Sequence, residues 1–312
     1  NSLTPIVKSF GKFKMFGEKK LYFAGIVAAI ATVTIWATFL IGTRFAVSGN
    51  LTVDEVLVLR LVPAFIIMTP IMLKVGIFLK EQSIIGTLMI ALGASAVFPY
   101  LISNGVYYAP ASDAGALAPG MLPFWTALFA FIIVGERPTK LRSIGLIIIL
   151  FGAFLVGSYS ILRASNAETW KGHFLFLAAS GMWSMYSVYF RKSGINPLIG
   201  LVFGLFWGSV IAVPTLIIFG DVTFAKASNF EIMSMIFLQG ILIAIVAMLL
   251  YNFAVQQLGA PQTAAFGALT PVLALIGGVI FLNENITSIK FLGIILVSIG
   301  VVLASGILEN RK

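Results

Sequence analysis

Cysteine is absent from this chain, histidine occurs once and only eleven residues are acidic. Without cysteine there is no disulfide, no thiolate nucleophile and no cysteine metal site. One histidine, His173, and eleven carboxylates leave little material for metal-dependent or general acid–base chemistry, so the expectation is a protein that is not an enzyme and uses no cofactor and no metal. Charge is scarce too: 10% of the 312 residues are charged against 60% hydrophobic, and the mean hydropathy is +1.06. No water-soluble fold can hide that much apolar surface. At roughly 20 apolar residues per span, ten membrane helices use about 200 residues and leave short loops and a tail. The net charge of +9 would suggest nucleic acid in a soluble protein. Here the basic residues sit in loops and tail, where anionic headgroups attract them. The expected partners are membrane lipids and a small-molecule substrate, with no nucleic acid, for a monomeric chain.

Residues 1–20 carry five lysines, with Val7, Phe10, Phe13 and Phe16 three apart, and read as a retained, cytoplasmic, amphipathic interfacial segment. Apolar runs follow at about 21–47, 54–78, 82–108, 111–134, 139–162, 170–191, 197–219, 229–257, 261–282 and 287–308, separated by short turns with Gly, Pro, Asn or charge. With the N-terminus inside, cytoplasmic segments hold fourteen basic residues: the five lysines, Lys74, Lys80, Arg137, Lys140, Arg142, Arg191, Lys192, Arg311 and Lys312. External segments hold five, namely Arg44, Arg163, Lys171, Lys226 and Lys290, and Arg60 lies inside a span. That bias is the positive-inside pattern and predicts both termini in the cytoplasm.

Sliding the chain by 148 residues pairs Asn104 with Asn252, Ala116 with Ala264, Pro123 with Pro271, Glu136 with Glu284, Thr139 with Thr287, Gly145 with Gly293 and Gly152 with Gly300. An offset of 147 pairs Trp36 with Trp183 and Arg44 with Arg191. Coincident Asn, Pro, Glu and Thr at one offset in so apolar a chain mark a duplication. Five spans per half is an odd number, so the second copy enters the membrane in the opposite direction. The fold class expected is an all-α membrane protein of ten transmembrane helices arranged as two inverted five-helix repeats. Such repeats place a substrate site near the bilayer midplane between the halves and imply a carrier working by alternating access.

Residues 115–157 (GALAPGMLPFWTALFAFIIVGERPTKLRSIGLIIILFGAFLVG), 267–306 (GALTPVLALIGGVIFLNENITSIKFLGIILVSIGVVLASG) and VLRLVPAFIIM at 58–68 resemble twin EamA domains. A mid-span Pro, a Glu about a dozen residues later, a Thr at the next helix start and two Gly seven apart recur in both halves and are similar to the drug/metabolite transporter superfamily. The resemblance divides the chain into a first repeat at 21–163, a second at 169–308 and a cytoplasmic tail at 309–312. It implies a multi-pass carrier of the bacterial cytoplasmic (inner) membrane that exports amino acids or related metabolites. Asp113 departs from the small apolar residue usual there, and Asn285 stands where the first half has Arg137.

Trp36 and Trp183 fall at mid-span, away from headgroup depth, and are either a cavity box able to stack on substrate or packing residues. Trp125, Phe98 and Tyr100 are further aromatic candidates. Arg60 lies about 9 Å along span two from its external end. It either faces a wet cavity and holds a substrate carboxylate, or snorkels to the interface. Asn104 and Asn252 either bond across helices or line the path, and Gln239 and Tyr251 are candidates as polar groups within span eight. Pro123 and Pro271 are read as mid-span kinks that free carbonyls. Glu136 and Glu284, followed by Thr139 and Thr287, read as caps at the hairpins leading into the next helices, with proton coupling the alternative. Asp113 reads as a cap on span four in preference to a proton site, and His173, a residue type able to titrate near neutral pH, as a solvated residue near an external loop. With every candidate acid at a helix end, no mid-membrane carboxylate marks a proton relay, and the expectation is flux without a proton gradient.

Three functions follow: a carrier of amino acids or similar metabolites, an exporter of anionic or lipophilic drug-like compounds, and a membrane-embedded transferase or protease. The last needs a cluster of His, Asp or Ser–Lys near the interface, and the sequence shows none.

Overall fold

The computed structural model describes residues 18–79, 82–163, 167–258 and 260–309. The amphipathic segment expected at 1–20 therefore lies outside the described residues up to position 17, as do the last three residues of the tail. The described chain runs α1 Glu18–Ser48, α2 Val53–Val75, α3 Ile84–Tyr108, α4 Ala111–Val134, α5 Lys140–Arg163, α6 Thr169–Ser193, α7 Pro197–Phe219, α8 Asn229–Leu258, α9 in two pieces (Ala260–Phe266 and Leu269–Leu282), and α10 Ser288–Ala304. Eight of these, α1 to α5 and α7 to α9, are long and apolar enough to cross a membrane. The other two differ for separate reasons. Helix α10 has 17 residues, while α6 has 25 but carries Lys171, His173, Arg191 and Lys192. Its Gly172, His173, Phe176, Ala179, Ser180 and Ser184 are buried, so the polar stripe that lowers its hydropathy turns into protein, away from lipid.

The duplication is visible in the packing. Helix α6 lies on α3 and α4 as α1 lies on α8 and α9, and α3 meets α7 as α8 meets α2. Helices α5 and α10 carry the glycines seven apart. A Cβ on Gly145 would stand 2.7 Å from the Gly300 carbonyl oxygen, and one on Gly152 would stand 2.6 Å from that of Gly293. Those two contacts exchange under the repeat and run in opposite senses along the helices. Equivalent helices are thus antiparallel, and the second half is inverted. The glycines are required because two backbones touch there.

Helices α3 and α8 share another departure from regularity. Met89–Val97 and Ile236–Ala247 are wound as π-helix at matching places in the two halves. Runs of that length are rare, and π turns concentrate where function is built.

The breaks in α4 and α9 are not where the mid-span prolines suggested. Helix α4 stops at Leu117, turns through a 3-10 step at Pro119–Met121 and restarts at Leu122. Pro123 and Pro271 sit in the first turns of Leu122–Val134 and Leu269–Leu282, where a missing N–H leaves no gap in the ladder. They start helices after the break. At the break the Ala118 carbonyl accepts from the Met121 N–H at 3.2 Å and from Ser180 Oγ at 2.8 Å, and the Leu122 carbonyl accepts from Ser184 Oγ at 3.2 Å.

Candidate functional site

A cavity of about 400 Å³ runs from the middle of the bundle to one end of it, a size within the roughly 300–1,000 Å³ of small-molecule sites. Its inner wall is Trp36, Pro119, Leu122, Pro123, Trp183 and Tyr251, and its mouth carries Glu136, Arg137, Arg142 and Arg191. Thr32, Thr126, Ser187 and Thr263 line the space between. Trp36 and Trp183 meet edge to face at 6.2 Å between ring centroids, so these repeat-equivalent residues touch each other at the floor. Tyr251 lies 5.4 Å from Trp36, and Phe98 lies 4.7 Å from Trp183 on the far side of the floor.

Behind that floor stands a buried polar trio. Arg60, 7% exposed, donates from Nη1 to Gln239 Oε1 at 3.2 Å, and Gln239 Nε2 donates to Thr43 Oγ1 at 2.8 Å. The guanidinium also lies 5.3 Å from the Phe39 ring centroid. Arg60 therefore does not snorkel; it faces the bundle interior and borders two chambers of about 40 Å³ each, one lined also by Trp36, Phe98 and Trp183, the other by Ser95, Trp183 and Tyr186.

Six sequence candidates thus come together: Trp36, Arg60, Phe98, Trp183, Gln239 and Tyr251. Four stand apart from the cavity. Tyr100 is 37% exposed on the outside of the bundle. Asn104 donates to the Tyr100 carbonyl at 2.9 Å, a bond within one helix turn. Trp125 stacks on Phe129 at 5.9 Å in the layer between α4 and α6. Asn252 borders none of the three cavities.

The opposite end of the bundle is closed by buried charges that the sequence did not reveal. Asp113, fully buried, pairs through Oδ1 with Lys290 Nζ at 2.6 Å and through Oδ2 with His173 Nε2 at 3.0 Å. Lys290 also donates to Ser112 Oγ at 3.2 Å. Asp113 is thus no cap: its carboxylate ties α4 to α6 and α10. His173 is 5% exposed and Lys290 6%, so neither is a solvated loop residue. Glu284 does act as a cap, but on another helix from the one expected: its carboxylate accepts the N–H groups of Ala111 at 2.6 Å and Ser112 at 3.0 Å, at the start of α4 in the other half. Thr287 caps the next helix as expected, accepting from the Lys290 N–H at 3.4 Å. Arg44 donates to the carbonyls of Val106 and Tyr107, the latter at 2.9 Å. Further out, Glu55 accepts the N–H groups of Thr223, at 3.0 Å, and Phe224, pinning the α7–α8 loop to α2. A signal for Lys290 was present in the repeat, since an offset of 148 makes it the counterpart of Arg142.

The model of the EamA-like transporter family matches this chain twice, at residues 23–158 and 170–306. Two curated relatives from Bacillus subtilis (strain 168) are similar. The uncharacterized transporter YyaM is 25% identical over 231 residues, 72% of this chain and 74% of the relative. The uncharacterized transporter YcxC is 25% identical over 251 residues, 76% of this chain and 78% of the relative. One solved crystal structure, 17% identical, superposes with a TM-score of 0.60 over 95% of this chain and all of its own, a likeness of fold.

Proposed function

Since this chain belongs to the EamA-like transporter family, we propose that it is a secondary carrier moving small polar metabolites, amino acids or related compounds, out of the bacterial cytoplasm by alternating access. The observation that carries this reading is the inequality of two repeat-related ends: one opens into a 400 Å³ cavity, the other is shut by the Asp113 cluster. A carrier needs that arrangement and its converse, and inverted repeats supply both by exchanging the conformations of their halves. The open end carries Arg137, Arg142 and Arg191, so by the positive-inside bias it is the cytoplasmic end of an inner-membrane protein. Substrate then enters from the cytoplasm and reaches the Trp36–Trp183 floor.

The Asp113–His173–Lys290 cluster is the one group here that could raise the membrane-enzyme reading. It borders none of the three cavities. Its burial does remove the ground for expecting no proton relay, because Asp113 is not a helix-end cap. Uptake of labelled amino acids, nucleosides and organic cations into proteoliposomes, with and without a pH gradient, tests substrate and coupling together. Trp36→Ala and Trp183→Ala should each lower flux several-fold at unchanged membrane abundance; absence of flux for every class would overturn the carrier reading. Reporter fusions at Lys312 and in the 163–171 loop test the orientation.

A further inference from the structure

Arg60 is a buried cation at the centre of the bundle, and no anion answers its charge among the described residues. It meets no carboxylate among the described residues; its polar partner is the neutral Gln239. The two acids on its own helix are engaged elsewhere, Asp54 with the Asp221 N–H at 2.8 Å and Glu55 with the Thr223 N–H at 3.0 Å. A fixed guanidinium so far from water is costly unless an anion or a wet site answers it.

Nor does it belong to the repeated scaffold. Glu136 and Glu284 and the paired glycines recur in both halves. At the same offset of 148, Arg60 corresponds to Gly208 and Gln239 to Ala91, so the trio exists once. A substrate site close to the axis relating the halves needs a single copy.

The space beside Arg60 indicates what fits. Its inner chamber, about 40 Å³, has room for a few waters or one carboxylate group, not a whole metabolite. That chamber shares Trp36, Pro119, Leu122 and Trp183 with the 400 Å³ cavity, so only the aromatic floor separates them. We infer that Arg60 is the anion subsite of the carrier: it takes the carboxylate of an organic monoanion or zwitterion in a paired, charge-assisted contact, while the apolar part of that molecule stays against the tryptophan floor in the larger cavity. This deepens the carrier reading and rests on it for the route by which the anion arrives. Gln239 holds the guanidinium in place when the subsite is vacant.

The test is binding to the purified full-length protein in detergent, read by tryptophan fluorescence. Probes are phenylacetate and L-phenylalanine, against phenylacetamide and L-phenylalaninamide, which keep the ring and lose the anion. Saturable binding of the carboxylates at least tenfold tighter than of the amides is expected, with Arg60→Gln losing that preference and Arg60→Lys keeping part of it. Arg60→Met should also raise the melting temperature of the ligand-free protein, which the removal of a structural cross-link would lower. Equal affinity for carboxylate and amide, no carboxylate binding at millimolar concentration, or unchanged preference in Arg60→Gln overturns the inference. The two readings fail separately: flux that persists with amides and in Arg60→Gln leaves the carrier and removes the subsite, whereas carboxylate binding with no flux leaves the subsite and removes the carrier.

Discussion

The two ends of this bundle are built from equivalent residues and are in opposite states. Ala116 and Ala264 are counterparts, yet the first has no exposed surface while the second lines the cavity. Glu284 spends its charge on the amides of Ala111 and Ser112; its counterpart Glu136 pairs with Arg191 at 2.8 Å, with side chains 54% and 56% exposed. Arg44 binds carbonyls at the end of α3, whereas its counterpart Arg191 is drawn to Glu136. Lys290 is buried on Asp113, and its counterpart Arg142 reaches Glu309 at 3.3 Å with 39% of its side chain exposed. At the shut end Glu284 and Arg44 lie on helix ends and Lys290 on a buried carboxylate, whereas their counterparts at the open end lie partly in water. The two ends share these paired residues in sequence, and the burial of their charges differs greatly.

The largest test of that difference is removal of one cation from each end. Lys290→Met leaves Asp113 buried with His173 alone, and breaking a buried pair costs about 3–5 kcal/mol. Arg142→Met removes a half-exposed partner and should cost no more than about 1 kcal/mol. Thermal unfolding in detergent compares them. Equal losses would mean the two ends are not in different states. Because the chain has no cysteine, Ala116→Cys gives a background-free probe, and its labelling should rise steeply in Lys290→Met.

The sequence made the frame of this comparison readable, and the physical reason is that duplication writes itself as fixed offsets. The glycines of α5 and α10, the tryptophan pair and the inverted order all come from residues 147 or 148 apart. The closing cluster was not readable, because Asp113, His173 and Lys290 stand on three helices and no offset relates them. That Tyr100, Asn104 and Trp125 lie away from the three cavities was not readable for a related reason. A helix that is apolar on every side does not disclose which face turns inward, so position along the helix was legible and direction around the axis was not. Helix α6 does carry Ser180, Ser184 and His173 on one buried face, yet His173 read as solvated because it stands near a helix end.

A smaller effect is expected at the caps themselves. Glu284→Gln keeps one acceptor and loses the charge that two amides of α4 share, which should cost about 1–2 kcal/mol. The same change should raise labelling of Ala116→Cys, since the cap holds α4 against the other half. Lost stability with unchanged labelling would make Glu284 a local helix cap with no part in closure.

The smallest change in stability, and the sharpest test of exchange, belongs to Glu136. In the conformation described here its pair with Arg191 is wet, and exposed pairs contribute about 0–1 kcal/mol. Glu136→Gln should therefore melt close to the wild type. If the halves trade conformations, however, Glu136 must leave Arg191 when the mouth closes and take the N–H of Ala260, the counterpart of Ser112. Loss of its charge would then weaken only the state in which the mouth is shut. Labelling of Ala264→Cys at the mouth should rise, labelling of Ala116→Cys at the other end should fall, and flux should slow although the protein is as stable as before. A Glu136→Gln protein with wild-type melting, labelling and flux would show that the mouth closes by contacts other than those that seal the Asp113 end, and that the repeat relates the two ends in sequence without relating their mechanisms.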